Sequence, residues 1–338
     1  MIIGIVGCGG IARAHVRALS LIPSVKGFTF FDVNPDCMNQ LSESAIHPVT
    51  HCPELETLAR QSDGFIICTP NHLHVALAQE ILQYRRIPFV CEKPLSTDFT
   101  SAQKLTEMAP EGSIVSFNYR YNRIVQQILS LRDTRALGPL AYFSAEFSKN
   151  SAITRQHLTW RDSSRQSKSS GALGDLSCHL LDLFCSLAES TIQTERLRVV
   201  KGTRIGKKSD GPVEVDDNGY IFGSTNTGSY FNIRASKSDP DHQLGLHLHL
   251  VFEDGGIHYT TRKEDQFTLS LHNQPGEEIV KFPTTRLIPD PPRELPYWSD
   301  SFYHMHVDWC QTLSGRPPSP LLPVLSAGLQ IQAVMESF

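Results

Sequence analysis

The feature that most constrains the fold is a glycine-rich turn at the start of the chain. Residues Ile2 to Val6 form an unbroken apolar run, typical of a strand in a parallel sheet that is covered on both faces. Gly7, Gly9 and Ala12 follow it with the spacing of a dinucleotide-binding turn that opens a helix. In such a turn the first glycine permits the tight bend, the second lets a pyrophosphate approach the backbone, and the small third residue allows close helix–strand packing. This beginning predicts a Rossmann domain, a doubly wound parallel α/β sheet.

An acidic residue at the end of the next predicted strand indicates which dinucleotide binds. The strand from Gly27 to Phe31 leads into Asp32, roughly twenty residues beyond Ala12. A carboxylate there holds the adenosine ribose hydroxyls of NAD and repels the 2′-phosphate of NADP, and no arginine follows directly. The sequence therefore predicts NAD, with NADP less favoured. The residues expected to hold it here are Gly7, Gly9, Gly10, Ile11, Ala12 and Asp32.

Polar loops follow two further strands of the predicted sheet. One comes after the apolar run Gly64 to Cys68, and the other after the run Ile87 to Val90. In open α/β sheets ligands bind at the carboxyl edge, where such loops lie. Asn71 is also a candidate cap for the helix after the first loop. The cofactor contacts expected from the two loops are Thr69, Pro70, Asn71, His74, Glu92 and Lys93.

Lys93 is the candidate for chemistry at this edge. A half-desolvated ammonium can have its pKa lowered towards neutrality and exchange protons. Pro94 fixes one backbone angle and is a candidate for a cis bond, which would hold the lysine loop rigidly. Taken alone, the stretch is more typical of a strand end followed by a surface lysine and a turn.

The second half of the chain has a different pattern, so we place domains at residues 1–120 and 121–338. Short strand-like runs follow one another with few helices between them, and Asp254-Gly255-Gly256 is a good hairpin turn. The prediction is an α+β domain with a largely antiparallel open sheet and helices on one face. The C-terminal helix is free to pack back on the first domain.

A single apolar helix, predicted from Leu173 to Leu187, carries three chemically capable side chains. Asp175, His179 and Asp182 are spaced four and three residues apart, which places them on one helical face. A helix cap with a hydrogen-bonded core histidine would account for the same residues without catalysis.

Together these motifs resemble the Gfo/Idh/MocA family of oxidoreductases. The resemblance rests on the turn at Gly7, on Asp32, on the run Thr69 to His74, on Glu92-Lys93-Pro94, and on the segment Gly171 to Asp182. The glycine run of that last segment departs from the family pattern at Ser170, Ala172 and Gly174, which puts substrate placement in doubt. The family implies NAD-dependent hydride transfer at a CH–OH group of a sugar, inositol or related polyol. It also implies a homodimer or homotetramer assembled through the exposed face of the second sheet.

The resemblance leads to a mechanistic hypothesis. His179 takes or gives the hydroxyl proton, Lys93 stabilises charge on the same oxygen, and Asp175 orients substrate or tunes the other two. Two alternatives stay open: a glycoside hydrolase of the same family that retains its NAD, and a sensor that binds dinucleotide and sugar without turnover. Residues expected to line the substrate pocket are Arg120, Tyr121, His157, Trp160, Arg161 and Asp182.

Composition excludes several other classes of protein. A net charge of −4 gives no field to attract nucleic acid or anionic membrane, and no apolar run is long enough to span a bilayer. The eight scattered cysteines, without a CxxC pair, are typical of reduced thiols in the cytoplasm. His247 with His249, and His304 with Asp308, have no third ligand at a fitting spacing, so no metal site is expected.

Overall fold

The computed structural model describes residues 1–164, 171–289 and 295–338. These residues form two compact units. The first unit contains Met1–Tyr121 together with Ser299–Gln332, and the second contains Asn122–Trp298 together with Ala333–Phe338. The first unit is therefore built from two separate stretches of chain.

The first unit is built on a parallel sheet with the strand order β3-β2-β1-β4-β5-β6. This is the doubly wound order of dinucleotide-binding domains, in which the order of the strands reverses between β1 and β4. The predicted Rossmann fold is confirmed. The strands are β1 Ile2–Val6, β2 Gly27–Phe31, β3 Val49–His51, β4 Gly64–Ile67, β5 Phe89–Cys91 and β6 Ile114–Val115.

Helices connect these strands, and their ends follow local chemistry. Asn34 caps α2 by accepting the Asp36 N–H, and Asp98 caps α5 by accepting the Ser101 N–H. The predicted capping role of Asn71 is wrong, because a 3₁₀ turn over Asn71–Leu73 precedes α4, which begins at His74 without a side-chain cap. The helices are α1 Gly10–Leu19, α2 Pro35–Ser42, α3 Leu55–Gln61, α4 His74–Tyr84 and α5 Phe99–Met108.

The second unit contains a larger sheet with the order β16-β15-β14-β13-β7-β12-β11-β8. Its neighbouring strands pair antiparallel except for β7 and β12, which run parallel. The predicted, largely antiparallel sheet is confirmed, including the hairpin between β13 and β14. The strands, including the β9–β10 ribbon, are β7 Leu140–Ser148, β8 Arg198–Gly202, β9 Lys207–Lys208, β10 Gly211–Pro212, β11 Asn218–Ser224, β12 Tyr230–Ser236, β13 Gly245–Phe252, β14 Gly255–Thr260, β15 Gln266–Leu271 and β16 Glu277–Lys281.

One face of this sheet is covered and the other is open. Helix α8 packs on the covered face, where Phe184 contacts both Phe143 and Phe231. The open face exposes large side chains that strand pairing places side by side, among them Val200, Tyr220, Phe222 and Tyr230. The helices of this unit are α6 Arg123–Thr134, α7 Ser151–Thr154 and α8 Cys178–Ala188. Helices α6 and α7 are not among the predicted elements.

Two helices follow the second sheet along the chain, α9 Trp298–Leu313 and α10 Leu325–Met335. Residues 299–332 belong to the first unit, where the Trp309 indole N–H donates to the Gly112 carbonyl over 3.0 Å. The Val115 N–H donates to the Pro323 carbonyl, so this segment also extends the hydrogen bonding of β6. None of the helices in the described ranges is both long enough and apolar enough to cross a membrane.

Candidate active site

The glycine-rich turn has the backbone shape and the free space that a pyrophosphate needs. Gly7 has φ of +88°, and a Cβ on it would lie 2.7 Å from the Thr69 Cγ2 atom, so this position requires glycine. A Cβ on Gly9 or Gly10 would meet no described atom within 4 Å. Helix α1 begins at Gly10 and directs its N-terminal N–H groups at this space. The turn fits a dinucleotide, whose phosphates would fill the space that side chains leave open.

Asp32 supports the same turn from the end of β2. One carboxylate oxygen accepts the Cys8 N–H over 2.7 Å, and the other accepts the Asn34 N–H over 2.8 Å. A carboxylate has about four acceptor positions, so these two bonds leave capacity for ribose hydroxyls. The backbone bonds fix the direction of the carboxylate before any ligand arrives. Asp32 thus shapes the turn, and its selection of NAD stays a prediction.

The loop after β4 is tied down by a buried histidine. The His74 Nε2 atom lies 3.0 Å from the Thr69 carbonyl oxygen, and Nδ1 lies 3.4 Å from the Leu95 carbonyl oxygen. Burial lowers the pKa of His74, so a neutral ring donates its single N–H to Thr69. His74 therefore links the loop after β4 to the loop after β5. Asn71, which lies between Thr69 and His74 in the sequence, is buried.

Glu92 is a buried carboxylate at the end of β5, and it is held by a chain of histidines. The Nε2 atom of His15, on α1, lies 2.9 Å from Glu92 Oε1, and His15 Nδ1 lies 2.7 Å from Nε2 of His306, on α9. The other oxygen, Oε2, accepts the Lys93 N–H over 3.3 Å. Burial alone would raise the pKa of Glu92, but His15 and Lys93 outweigh it and hold the pKa below its usual range.

The hydrogen bonds between the two histidines and Glu92 indicate which ring nitrogens carry protons. Burial and the neighbouring His15 hold the pKa of His306 well below its usual range, so that ring is neutral. Its Nδ1 atom has no hydrogen-bond partner among the described residues. A buried N–H without an acceptor is costlier than a bare ring nitrogen, so Nδ1 is the unprotonated atom. His306 then donates from Nε2 to His15, and His15 donates from Nε2 to Glu92.

The Lys93–Pro94 peptide bond is cis, as predicted. Cys91, Glu92 and Leu95 around it are buried, whereas Lys93 is half-buried. Helix α10 approaches the loop closely, since a Cβ on Gly328 would lie 3.1 Å from the Leu95 Cδ2 atom. The Lys93 side chain is therefore attached to a backbone that packing and Glu92 hold in place.

In the second unit, the predicted helix at Leu173 begins with a π-helical turn, Leu173–Ser177, before α8. A π turn widens the hydrogen-bonded ring, and such turns often occur at functional sites. Asp175 lies within the turn with 28% of its side chain exposed, whereas His179 and Asp182 are 5% and 1% exposed as residues. The spacing thus yields one half-exposed acid and two buried groups rather than three equivalent side chains.

The π turn is anchored from outside the helix. The Lys237 ammonium donates to the Gly171 carbonyl over 2.9 Å and lies 3.0 Å from Asp175 Oδ2. Asp216 accepts the Ala172 N–H through its backbone and the Leu173 N–H through its carboxylate. Gly171 has φ of +96° and faces Asp216 so closely that a Cβ would lie 2.5 Å from Oδ1. Of the departures from the glycine pattern, Ala172 and Gly174 are buried in this turn, and Ser170 lies outside the described residues.

The residues predicted to line the substrate pocket have varied surroundings. In the first unit, the Tyr121 hydroxyl donates to Asp308 over 2.8 Å, and burial together with Asp308 raises the pKa of Tyr121 far above its usual range. Arg120 donates to the Leu321 carbonyl over 3.4 Å. In the second unit, His157 and Arg161 are exposed. Trp160 lies in a short 3₁₀ turn, and its side chain lies outside the described part of the chain.

The histidines considered for a metal have other surroundings. His249 packs against Tyr142 and His258 on the open sheet face. Asp308 accepts the hydrogen bond of Tyr121. Within residues 1–164, 171–289 and 295–338, no group of three or more His, Cys, Asp or Glu side chains is arranged to hold a metal ion.

Comparison with known families matches both parts of the chain. Residues 1–119 match the model described as the oxidoreductase family with an NAD-binding Rossmann fold. Residues 133–338 match the C-terminal alpha/beta domain of the same oxidoreductase family. The chain belongs to the Gfo/Idh/MocA oxidoreductase family. The resemblance inferred from the motifs is therefore confirmed over nearly the whole sequence.

Members of this family resemble the chain in sequence and in fold. Glucose-6-phosphate 3-dehydrogenase of Bacillus subtilis (strain 168) is 32% identical over 99% of this chain and 95% of its own length. Levoglucosan dehydrogenase of Pseudarthrobacter phenanthrenivorans is 24% identical over 61% of this chain and 57% of its own length. A solved structure of levoglucosan dehydrogenase in complex with NADH and levoglucosan superposes with a TM-score of 0.83, at 20% identity, covering 100% of this chain and 95% of that one.

Family membership establishes the general activity. The chain is an NAD-dependent oxidoreductase of this family that acts on CH–OH groups. The sequence motifs did not indicate four residues that support the site: His15, His306, Lys237 and Asp216. Each pairs with a residue far along the chain, so no local spacing could have revealed it.

Proposed function

We propose that the enzyme oxidises a ring hydroxyl of a phosphorylated hexose, with glucose 6-phosphate as the first substrate to test. The observation that carries this proposal is the end-to-end similarity to glucose-6-phosphate 3-dehydrogenase, at 32% identity over 99% of the chain. A similarity that spans both units includes the parts that bind cofactor and the parts that bind substrate. The sequence keeps Lys93, Asp175 and His179, the residues on which turnover would depend.

The roles of these three residues in the proposed reaction follow from their chemistry. NAD, when bound, supplies the hydride acceptor. His179 takes the proton of the substrate hydroxyl, since a neutral imidazole nitrogen is a good general base near neutral pH. Lys93 donates a hydrogen bond to the same oxygen and stabilises the negative charge that develops there. Asp175, whose carboxylate is partly exposed, orients the substrate through a hydroxyl and balances charge beside His179.

The binding residues divide into two groups in this proposal. The turn residues Gly7, Gly9 and Gly10, continued by Ile11 and Ala12, hold the pyrophosphate, and Asp32 holds the adenosine ribose. The loops that border the nicotinamide ribose are shaped by Thr69, Pro70, Asn71, His74 and Glu92. Arg120, Tyr121, His157, Trp160, Arg161 and Asp182 remain the candidates for the substrate pocket. Among them the exposed Arg161 and His157 suit a phosphate better than the buried Tyr121 does.

We also propose that the enzyme works in the cytoplasm as a homodimer or homotetramer. All eight cysteines are free thiols, which suits a reducing compartment. The open face of the second sheet exposes Tyr220, Phe222 and Tyr230 to between 42% and 55%. A second copy of this sheet would cover such an aromatic surface. Sedimentation of the purified protein tests the assembly, and a monomer at micromolar concentration would contradict it.

A substrate screen tests the proposed activity. The purified enzyme is mixed with NAD and, separately, with glucose 6-phosphate, glucose, levoglucosan and myo-inositol, and NADH is followed by its absorbance. We expect the highest kcat/KM with glucose 6-phosphate and a lower value with NADP in place of NAD. Faster oxidation of an unphosphorylated sugar would refute the phosphorylated substrate. Binding of NAD and sugar without any NADH release would instead favour the retained-cofactor hydrolase or the sensor.

A further inference from the structure

Lys237 is a buried lysine in the second unit that the proposed reaction does not use directly. It follows the end of β12, and 5% of its side chain is exposed. Its own backbone is fixed on both sides, because its N–H donates to the Asp217 carbonyl and its carbonyl accepts the Ala152 N–H, each over 2.7 Å. The ammonium therefore projects from a rigid strand end rather than from a flexible loop.

Among the described residues, the ammonium contacts the segment that leads into α8 at two points. It donates to the Gly171 carbonyl over 2.9 Å and pairs with Asp175 Oδ2 over 3.0 Å. Burying a lysine is costly, because its charge loses water. A protein with apolar side chains of similar size in place of a buried ion pair is often equally stable. Burial lowers the pKa of Lys237, while Asp175 opposes that change. A buried cation that reaches one partly exposed carboxylate therefore suggests a role in setting that carboxylate.

Asp216 completes the support. Its backbone carbonyl and its carboxylate accept the N–H groups of Ala172 and Leu173, each over 2.9 Å. Gly219, on β11, leaves room for Leu173, since a Cβ there would lie 2.6 Å from Leu173 Cγ. The start of the π turn is thus held by hydrogen bonds and by packing, and within the turn Asp175 is held through Lys237.

We propose that Lys237 is a positioning residue that acts through Asp175: its ammonium directs the Asp175 carboxylate and balances the charge of that carboxylate. This inference rests on the proposed roles of Asp175 and His179. Without the ammonium, the Asp175 carboxylate would lose the ion pair that directs its Oδ2 atom. The pair would then no longer present a fixed acceptor to a substrate hydroxyl.

A double-mutant cycle tests the inference in the full-length enzyme with NAD and the best substrate of the wild type. Lys237→Met removes the charge and keeps the length of the side chain. We expect it to lower kcat about 10–100-fold, the range found when a group that orients a functional ligand is removed, with KM for NAD unchanged. Asp175→Asn should lower kcat at least as much. The variant carrying both changes should be within about twofold of Asp175→Asn alone, because the inferred effect of Lys237 on kcat passes through that carboxylate.

Two further variants separate positioning from packing. Lys237→Gln keeps a donor for the Gly171 carbonyl but carries no charge, so it should fold and stay about as slow as Lys237→Met. Lys263→Met, at an exposed lysine of the same unit, is the matched control and should leave kcat unchanged. Wild-type kcat in Lys237→Gln or Lys237→Met, or additive losses in the cycle, would overturn the inference. The proposed function is tested by the substrates that the wild-type enzyme oxidises. The inference about Lys237 is tested by ratios of kcat among the variants. One can therefore be refuted without the other.

Discussion

Each unit holds an acidic side chain near a proposed catalytic residue, and the two units hold it differently. In the first, Glu92 accepts a hydrogen bond from His15, which in turn contacts His306. In the second, Asp175 pairs with the Lys237 ammonium. The first support is a chain of rings that need carry no charge, whereas the second is a salt bridge.

The difference has an electrostatic consequence. Glu92, whose pKa lies below its usual range, carries a negative charge beside Lys93. The charges of Asp175 and Lys237 balance each other. The roles proposed above, a hydrogen-bond donor at Lys93 and a proton acceptor at His179, would therefore have two different electrostatic surroundings.

The largest expected effect comes from removing either proposed catalytic side chain. Lys93→Ala and His179→Ala should each lower kcat by about 10²–10⁴-fold, the usual contribution of a positioned acid or base. Affinity for NAD should change little, as measured by fluorescence titration with NADH. His272→Ala, at an exposed histidine, is the control. Loss of activity in only one of the two variants would mean that a single unit supplies the chemistry.

A smaller but still large effect is expected at Gly171. Alanine there would keep an unfavourable positive φ and bring a Cβ to 2.5 Å from Asp216 Oδ1. We expect Gly171→Ala to lower the free energy of unfolding by about 2–3 kcal/mol, measured by urea denaturation. Gly206→Ala, where a Cβ meets nothing within 4 Å, is the matched control. Equal stability of the two variants would show that the π turn tolerates another backbone path.

The contrast between the two supports predicts unequal costs for neutralising the acids. Asp175→Asn leaves a buried ammonium without its counter-charge, and we expect a loss of about 2 kcal/mol of stability, below the range for fully buried pairs because Asp175 is partly exposed. Glu92→Gln keeps an oxygen that can accept from His15, so about 1 kcal/mol should be lost. Urea denaturation of both variants measures the difference. The reverse order of costs would mean that the histidine chain, and not the lysine pair, carries the charge.

The smallest expected effect is at the far end of the histidine chain. His306→Phe keeps a ring but leaves His15 Nδ1 without a donor, at a cost of about 1 kcal/mol in unfolding free energy. In the wild type, ¹⁵N NMR of the side chains should show His306 neutral and protonated on Nε2 near neutral pH. His242→Phe, at an exposed position, is the control. A His306 ring protonated on Nδ1 in the spectrum would refute the proton assignment.

Much of the fold was predictable because its determinants are local. The bend at Gly7, the strand-to-acid spacing that ends at Asp32, and the hairpin at Asp254 each depend on neighbouring residues. The parallel pairing in the sheet of the first unit then follows from alternating strands and helices. The proposed roles of Lys93, Asp175 and His179 came from motifs of the same local kind and stay predictions.

The supports behind these residues were not predictable, because they depend on long-range pairing. His15 and His306 are 291 residues apart, and Lys237 reaches Gly171 across 66 residues. The π turn at Leu173 was also missed, since the sequence there reads as continuous helix. Its shape depends on partners at Asp216 and Lys237, which no periodicity within the helix reveals.

The return of residues 299–332 to the first unit has a consequence for how the protein is made. A ribosome releases the Rossmann strands early, but Trp309 and His306 become available only after the whole second sheet has been synthesised. Until then the Gly112 carbonyl and the His15 ring lack these partners. The unit that begins first is therefore completed only after the second sheet has been made, and a chain truncated before Ser299 would carry every strand of both sheets without a finished NAD-binding unit.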